Sequence, residues 1–80
     1  MKHAVVYVTP TCTYCRAAKS LLAKYGIEYA SRDITRNRKF YQELVDLGAA
    51  MTVPQIVIDG TLVGGYADLL KFFGEQASAA

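Results

Sequence analysis

The apolar residues of this chain fall in short blocks whose spacing changes along its length. Ala4 to Val8 is an unbroken apolar run of β-branched and aromatic residues. It lacks the alternation of a half-exposed strand and predicts one covered on both faces, in the middle of a sheet. Pro10 ends it, because proline has no N–H to give to a ladder. From Thr13 the period lengthens. Ala18, Leu21, Leu22 and Tyr25 share one helical face, while Arg16, Lys19 and Lys24 fall elsewhere. Gly26 stands where the residue after a helix is expected, and Thr11 or Thr13 is the expected cap at its start.

Ile27 to Ile34 alternates again and predicts a second strand, parallel to the first after the helical crossover. Asp33 to Asn37 is polar and reads as a loop. Phe40, Tyr41, Leu44, Val45 and Leu47 form a second amphipathic helix closed by Gly48. Two short apolar runs follow, Gln55–Ile58 and Thr61–Val63, with Asp59-Gly60 between them, a strong signal for a two-residue hairpin. Gly64-Gly65 breaks the second run. Leu69, Leu70, Phe72 and Phe73 predict a last amphipathic helix with Asp68 in its first turn, where an acid suits the helix dipole. Gln76 to Ala80 is expected to fray. The order β-α-β-α-β-β-α predicts an α/β architecture: a four-stranded mixed sheet with three helices, distributed over both faces. Residues 1–80 are expected to form one domain, without repeats, linkers or low-complexity segments.

Composition narrows the setting. Eighty residues, 52% of them hydrophobic, suffice for one core without disulfide staples. No apolar run approaches the roughly 18 residues of a membrane span. The run after Met1-Lys2-His3 is too short for a signal peptide. A cytoplasmic protein is therefore expected, where a paired thiol is more often catalytic or metal-binding than structural. The net charge of +2 hides an asymmetry: residues 1–40 carry eight Lys/Arg against two acids (+6), and residues 41–80 one against five (−4). The positive half holds both cysteines, which suits a thiolate and an anionic partner, although solvated side chains explain much of it. No dense basic helix or aromatic platform suggests nucleic-acid binding.

The candidate chemistry is Cys12-Thr13-Tyr14-Cys15, at a strand-to-helix junction. Such a pair reads as a thiol–disulfide exchange site. Exchange needs a thiolate, and a free thiol of pKa about 8.5 is mostly protonated at neutral pH. At the helix start, unpaired N–H groups and the dipole favour an anion, with the Tyr14 and Cys15 amides placed to face the Cys12 sulfur. Cys12 is then the nucleophile, and Cys15, one turn on and more enclosed, resolves the mixed disulfide. A tetrahedral zinc site needs two more ligands; the soft candidate, His3, reads as a strand-edge surface residue. Pro54, in Thr52-Val53-Pro54, begins a strand either as a trans turn proline or through a cis bond that would bare the Val53 backbone to an added strand.

These features together resemble the glutaredoxin family of the thioredoxin fold. The match runs along almost the whole chain: Cys12-Thr13-Tyr14-Cys15, Thr52-Val53-Pro54-Gln55, the Asp59-Gly60 hairpin, and Gly64-Gly65 with Asp68-Leu69. The resemblance implies a thioredoxin-like fold, a cis Pro54 beside Cys12, and catalysis by Cys12 and Cys15. It implies that glutathione, as co-substrate, is bound by Tyr14, Thr52, Val53, Pro54, Gly65, Tyr66, Ala67 and Asp68, with its γ-glutamyl carboxylate over Gly65 to Asp68. Partners would be glutathione and glutathionylated or disulfide-bonded proteins, met by a monomer.

Departures from the family pattern keep two alternatives in view. Thr13 stands where many relatives have proline, and relatives without it sometimes share a 2Fe–2S cluster between subunits; this is not the favoured reading. Thr9 replaces a frequent lysine and Ala67 a frequent Ser or Asp. Arg36, Arg38 or Lys39 would have to supply the missing cation. The stretch from Gly48 to Val53 is one residue longer than usual. The other alternative is a redoxin reduced by thioredoxin reductase and serving ribonucleotide reductase.

Overall fold

The computed structural model describes residues 2–75, so the expected tail from Gln76 to Ala80 lies outside the described residues. The elements run β1 (His3–Val8), α1 (Thr13–Lys24), β2 (Glu28–Asp33), α2 (Arg38–Asp46), β3 (Gln55–Ile58), β4 (Thr61–Gly64) and α3 (Tyr66–Phe72). The strands form one mixed sheet in the order β2-β1-β3-β4. β1 pairs with β2 in parallel, His3 opposite Glu28 through Val8 opposite Asp33. It pairs with β3 antiparallel, Ala4 opposite Ile58 through Tyr7 opposite Gln55. The apolar run of β1 is thus central and covered on both faces. His3 lies at the start of this central strand, not on an edge strand.

Alternate β1 residues serve two cores. Ala4, Val6 and Val8 pack with Ile56 and Ile58 of β3 against Ala18, Leu21 and Leu22 of α1 and Leu69 and Leu70 of α3. Val5, Tyr7 and Val57 face the other way, toward Phe40 and Leu44 of α2. Leu22, Leu44 and Leu69 are each 0% exposed. Side chains buried to this degree contribute roughly 1.5–3 kcal/mol each.

α2 buries less than its pattern predicts. Leu44 is its buried residue and Phe40 packs at the margin, whereas Tyr41, Val45 and Leu47 are exposed. Nine residues form this helix, too few for every apolar position to reach the sheet. A polar link supplements the contact: Tyr7 O–H donates to Glu43 Oε1 at 2.8 Å, and Arg32 reaches the same oxygen at 2.5 Å. The second strand is also shorter than its sequence pattern, and Ile27 enters the α1-side core as a loop residue.

At the β3–β4 hairpin, Asp59 (φ 49) and Gly60 (φ 82) both adopt positive φ, as the tight two-residue turn requires. The ladder then slips: Val57 faces Leu62 but Ile56 faces Gly64, leaving Val63 as the extra residue of a bulge. Among the described residues no helix is long and apolar enough to cross a membrane.

Candidate active site

The sheet brings three chain segments to one end. β1 runs into the Thr9–Cys12 turn, closed by a Cys12 N–H to Thr9 carbonyl bond at 3.4 Å. β3 begins beside Tyr7 at Gln55, directly after the Val53–Pro54 bond, which is cis. β4 returns to this end and delivers Gly65 and α3, with Gly65 so near Pro54 that a Cβ there would lie 3.6 Å from the Pro54 carbonyl oxygen.

The cap of α1 is Cys12, where a threonine was expected. Its Sγ accepts the Cys15 N–H at 3.1 Å, the bond a capping side chain makes to an orphan helix amide. Thr13 is instead the first helical residue and is exposed. Of the two amides expected to face the sulfur, that of Cys15 makes the bond. No acid lies in the first turn of α1, so nothing there repels negative charge on the cap sulfur.

The two thiols are free and unlike. Cys12 is half-buried and packs beside the α1-side core together with Val53. Cys15 is 2% exposed. Burial, then its hydrogen bond with Cys12 and the charge on that sulfur, push the Cys15 thiol up to about 12; a Thr9 backbone contact and Lys19 offset this only in part. At neutral pH Cys15 is therefore a protonated thiol held against the Cys12 sulfur.

An open groove of about 570 Å³ borders the start of α1 through Tyr14. Tyr14, Thr52, Val53, Pro54, Gly65, Tyr66, Ala67 and Asp68 all line it. The structure thus brings together from three segments the residues that the sequence pointed to separately. The Tyr14 and Tyr66 rings stand 5.7 Å apart, one from the start of each helix. Asp68 Oδ2 accepts the Gly65 N–H at 3.1 Å and fixes the start of α3. Gln55, 3% exposed, donates to Thr52 Oγ1 at 3.3 Å and ties the loop to the sheet.

Leu70 and Glu75 also line the groove, and sequence reasoning missed them. Leu70 follows Tyr66 by one helical turn, a spacing that could have placed both on one face. Glu75 carries no comparable signal. Its carboxylate accepts from Lys24 Nζ at 3.0 Å and from the Tyr25 hydroxyl, joining the ends of α1 and α3. Among the described residues no three His, Cys, Asp or Glu side chains gather as a metal site.

A mixed four-stranded sheet, a Cys-x-x-Cys pair at a helix start and a cis-proline loop at the same end of the sheet define a thiol–disulfide oxidoreductase of the thioredoxin fold. Comparison with known proteins agrees. The family model described as Glutaredoxin matches residues 4–63. Glutaredoxin 3 of Escherichia coli is 36% identical over 69 residues, covering 86% of this chain and 83% of that protein. The solution structure of a Brucella melitensis glutaredoxin matches with a TM-score of 0.71 at 35% identity, covering 90% of this chain and 80% of that one. A buckwheat glutaredoxin–glutathione complex shares the fold, with a TM-score of 0.74 at 24% identity, covering 88% of this chain and 66% of that one. The chain belongs to the glutaredoxin family.

Proposed function

We propose that the protein is a glutathione-dependent dithiol oxidoreductase that reduces protein disulfides and protein–glutathione mixed disulfides in a reducing compartment. The observation that carries this reading is the inequality of the two thiols: the Cys12 sulfur receives a helix amide at 3.1 Å, whereas Cys15 is buried and protonated.

The order of events follows. The Cys12 thiolate attacks a substrate sulfur; the substrate S–S bond breaks, one thiolate leaves, and a Cys12–substrate disulfide forms. That adduct removes the negative charge from Cys12. With it goes one of the causes that hold the Cys15 proton, so Cys15 grows more acidic when its attack is needed. Cys15 then displaces the substrate from Cys12, its proton passes to the departing thiolate, and the internal disulfide forms. Two glutathiones restore the dithiol. The groove offers the Val53 backbone, the Tyr14 and Tyr66 rings and the Gly65–Asp68 turn to the peptide of glutathione.

Turnover of a glutathionylated peptide with glutathione and its reductase, run in parallel with thioredoxin reductase, tests the reading. Cys12→Ser should abolish turnover. Cys15→Ser should keep deglutathionylation and lose reduction of protein disulfides. Activity that survives Cys12→Ser, or that runs only on thioredoxin reductase, defeats the proposal.

A further inference from the structure

Gln55 is buried in a core otherwise built of apolar residues, Cys15 and Tyr7. Ile56, Val57 and Ile58 follow it in β3, so an amide at the head of this strand calls for a reason. Burying an amide is unfavourable unless it is bonded, and Gln55 Nε2 donates to Thr52 Oγ1 at 3.3 Å. Among the described residues, the stretch 50–53 makes no backbone–backbone hydrogen bond; the nearest one before it runs from the Ala49 N–H to the Leu44 carbonyl. Packing holds the end of this stretch in place: the Val53 side chain lies against the α1-side core and Pro54 is buried. Packing is non-directional and fixes where a residue sits more than how its peptide planes turn. The Gln55 bond is directional. It orients Thr52, and the planar Thr52–Val53 peptide passes that orientation to the Val53 N–H. Thr52 and Val53 both line the groove.

Resting on the glutathione reading above, we infer that Gln55 is a positioning residue for substrate capture. It does not touch the substrate. Its amide holds Thr52 so that the Val53 N–H and carbonyl are presented to the peptide of the half retained on Cys12, which pairs with them as an added strand does. Without this bond the loop keeps its place but loses one orientation, and each substrate must supply the ordering as it binds. A disulfide that brings no peptide gains nothing from Gln55.

The test compares two disulfides of 2-thiopyridine, one with glutathione and one with 2-mercaptoethanol. In each, the Cys12 thiolate attacks the alkyl sulfur, the S–S bond breaks, and 2-thiopyridone leaves with a proton from water and is read by absorbance. Cys15 then displaces the alkyl thiol and closes the internal disulfide, so two electrons pass from the protein to the substrate. The ratio of the two second-order rate constants reports capture of the peptide and cancels changes in Cys12 itself. Gln55→Leu nearly keeps the volume and removes the bond; it should lower the ratio about fivefold, the worth of one such hydrogen bond. Thr52→Val removes the same bond from its exposed end and should lower the ratio as well. The double variant should fall no more than about twofold below the lower single variant, because both remove one interaction. A merely structural role would depress both rate constants together and leave the ratio alone. A Gln55→Leu ratio within about twofold of the wild type overturns the inference, as do single effects that multiply in the double variant. Should Gln55→Leu not fold, Thr52→Val decides, and an unchanged ratio there overturns the inference. Failure of the glutathione reading looks different: the wild type then prefers the glutathionyl disulfide no more than free 2-mercaptoethanol does, and the inference falls with it.

Discussion

Replacing Gly64 by alanine tests how the groove is held open. Gly64 ends β4 at φ 120, a conformation that side chains rarely adopt. Backbone held in such a region costs about 1–3 kcal/mol for a residue other than glycine. The added Cβ would also meet the Asp68 carboxylate, lying 2.9 Å from its Cγ and 3.1 Å from its Cβ, closer than packed atoms tolerate. Asp68 must swing away and give up its bond to the Gly65 N–H, a loss of about 1 kcal/mol. The sum is about 2–4 kcal/mol, or roughly 10–25 °C in melting temperature for a domain of this size. The chain has six tyrosines and no tryptophan, so urea unfolding is best followed by far-UV circular dichroism with tyrosine emission as a second probe. The two causes separate in a double-mutant cycle. In an Asp68→Ala background the contact with the carboxylate and the bond to the Gly65 N–H are already absent, so Gly64→Ala should cost about 1 kcal/mol less than in the wild type. A penalty below about 1 kcal/mol, or one unchanged by Asp68→Ala, would refute the account.

Two further outcomes concern pH. Cys15 rises from 9.0 to about 12 on folding, so the folded state holds a proton that the unfolded state releases. Its stability contribution is full below pH 9 and drains away as pH climbs toward 12; urea midpoints of the reduced protein should fall over that window, and less so for Cys15→Ala. Glu43 shifts the other way, held below its ordinary 4.5 by the Tyr7 hydroxyl and the Arg32 guanidinium. Its contribution is present above pH 4.5 and lost as acid protonates it, so Glu43→Gln should flatten the acid limb of the stability profile. Tyr7→Phe removes one bond to that carboxylate and should cost about 1 kcal/mol at neutral pH.

Local chemistry made much of the fold readable. The uninterrupted Ala4–Val8 run announced a central strand, and Asp59-Gly60 announced the turn that both positive φ angles confirm. α2 was harder. Its five apolar positions fit one helical pattern, but which of them reach the sheet depends on helix length and docking, and spacing encodes neither. The site divided in the same way. The thiol pair and the turns were visible as motifs, while the cap role of Cys12 depended on where the first helical bond forms. Glu75 reaches the groove only because α3 ends beside α1, a tertiary fact with no local signature.

The burial of Cys15 also fixes the regiochemistry of everything the protein touches. At 2% exposure its sulfur is closed to any bulky disulfide arriving from solvent. Each encounter must begin at Cys12, and adducts on the wrong sulfur do not accumulate. A bulky alkylating reagent should therefore tag one thiol of the folded, reduced protein and both after unfolding. The same shielding makes the second thiol a private one, available to a single neighbour and hidden from bulk oxidants.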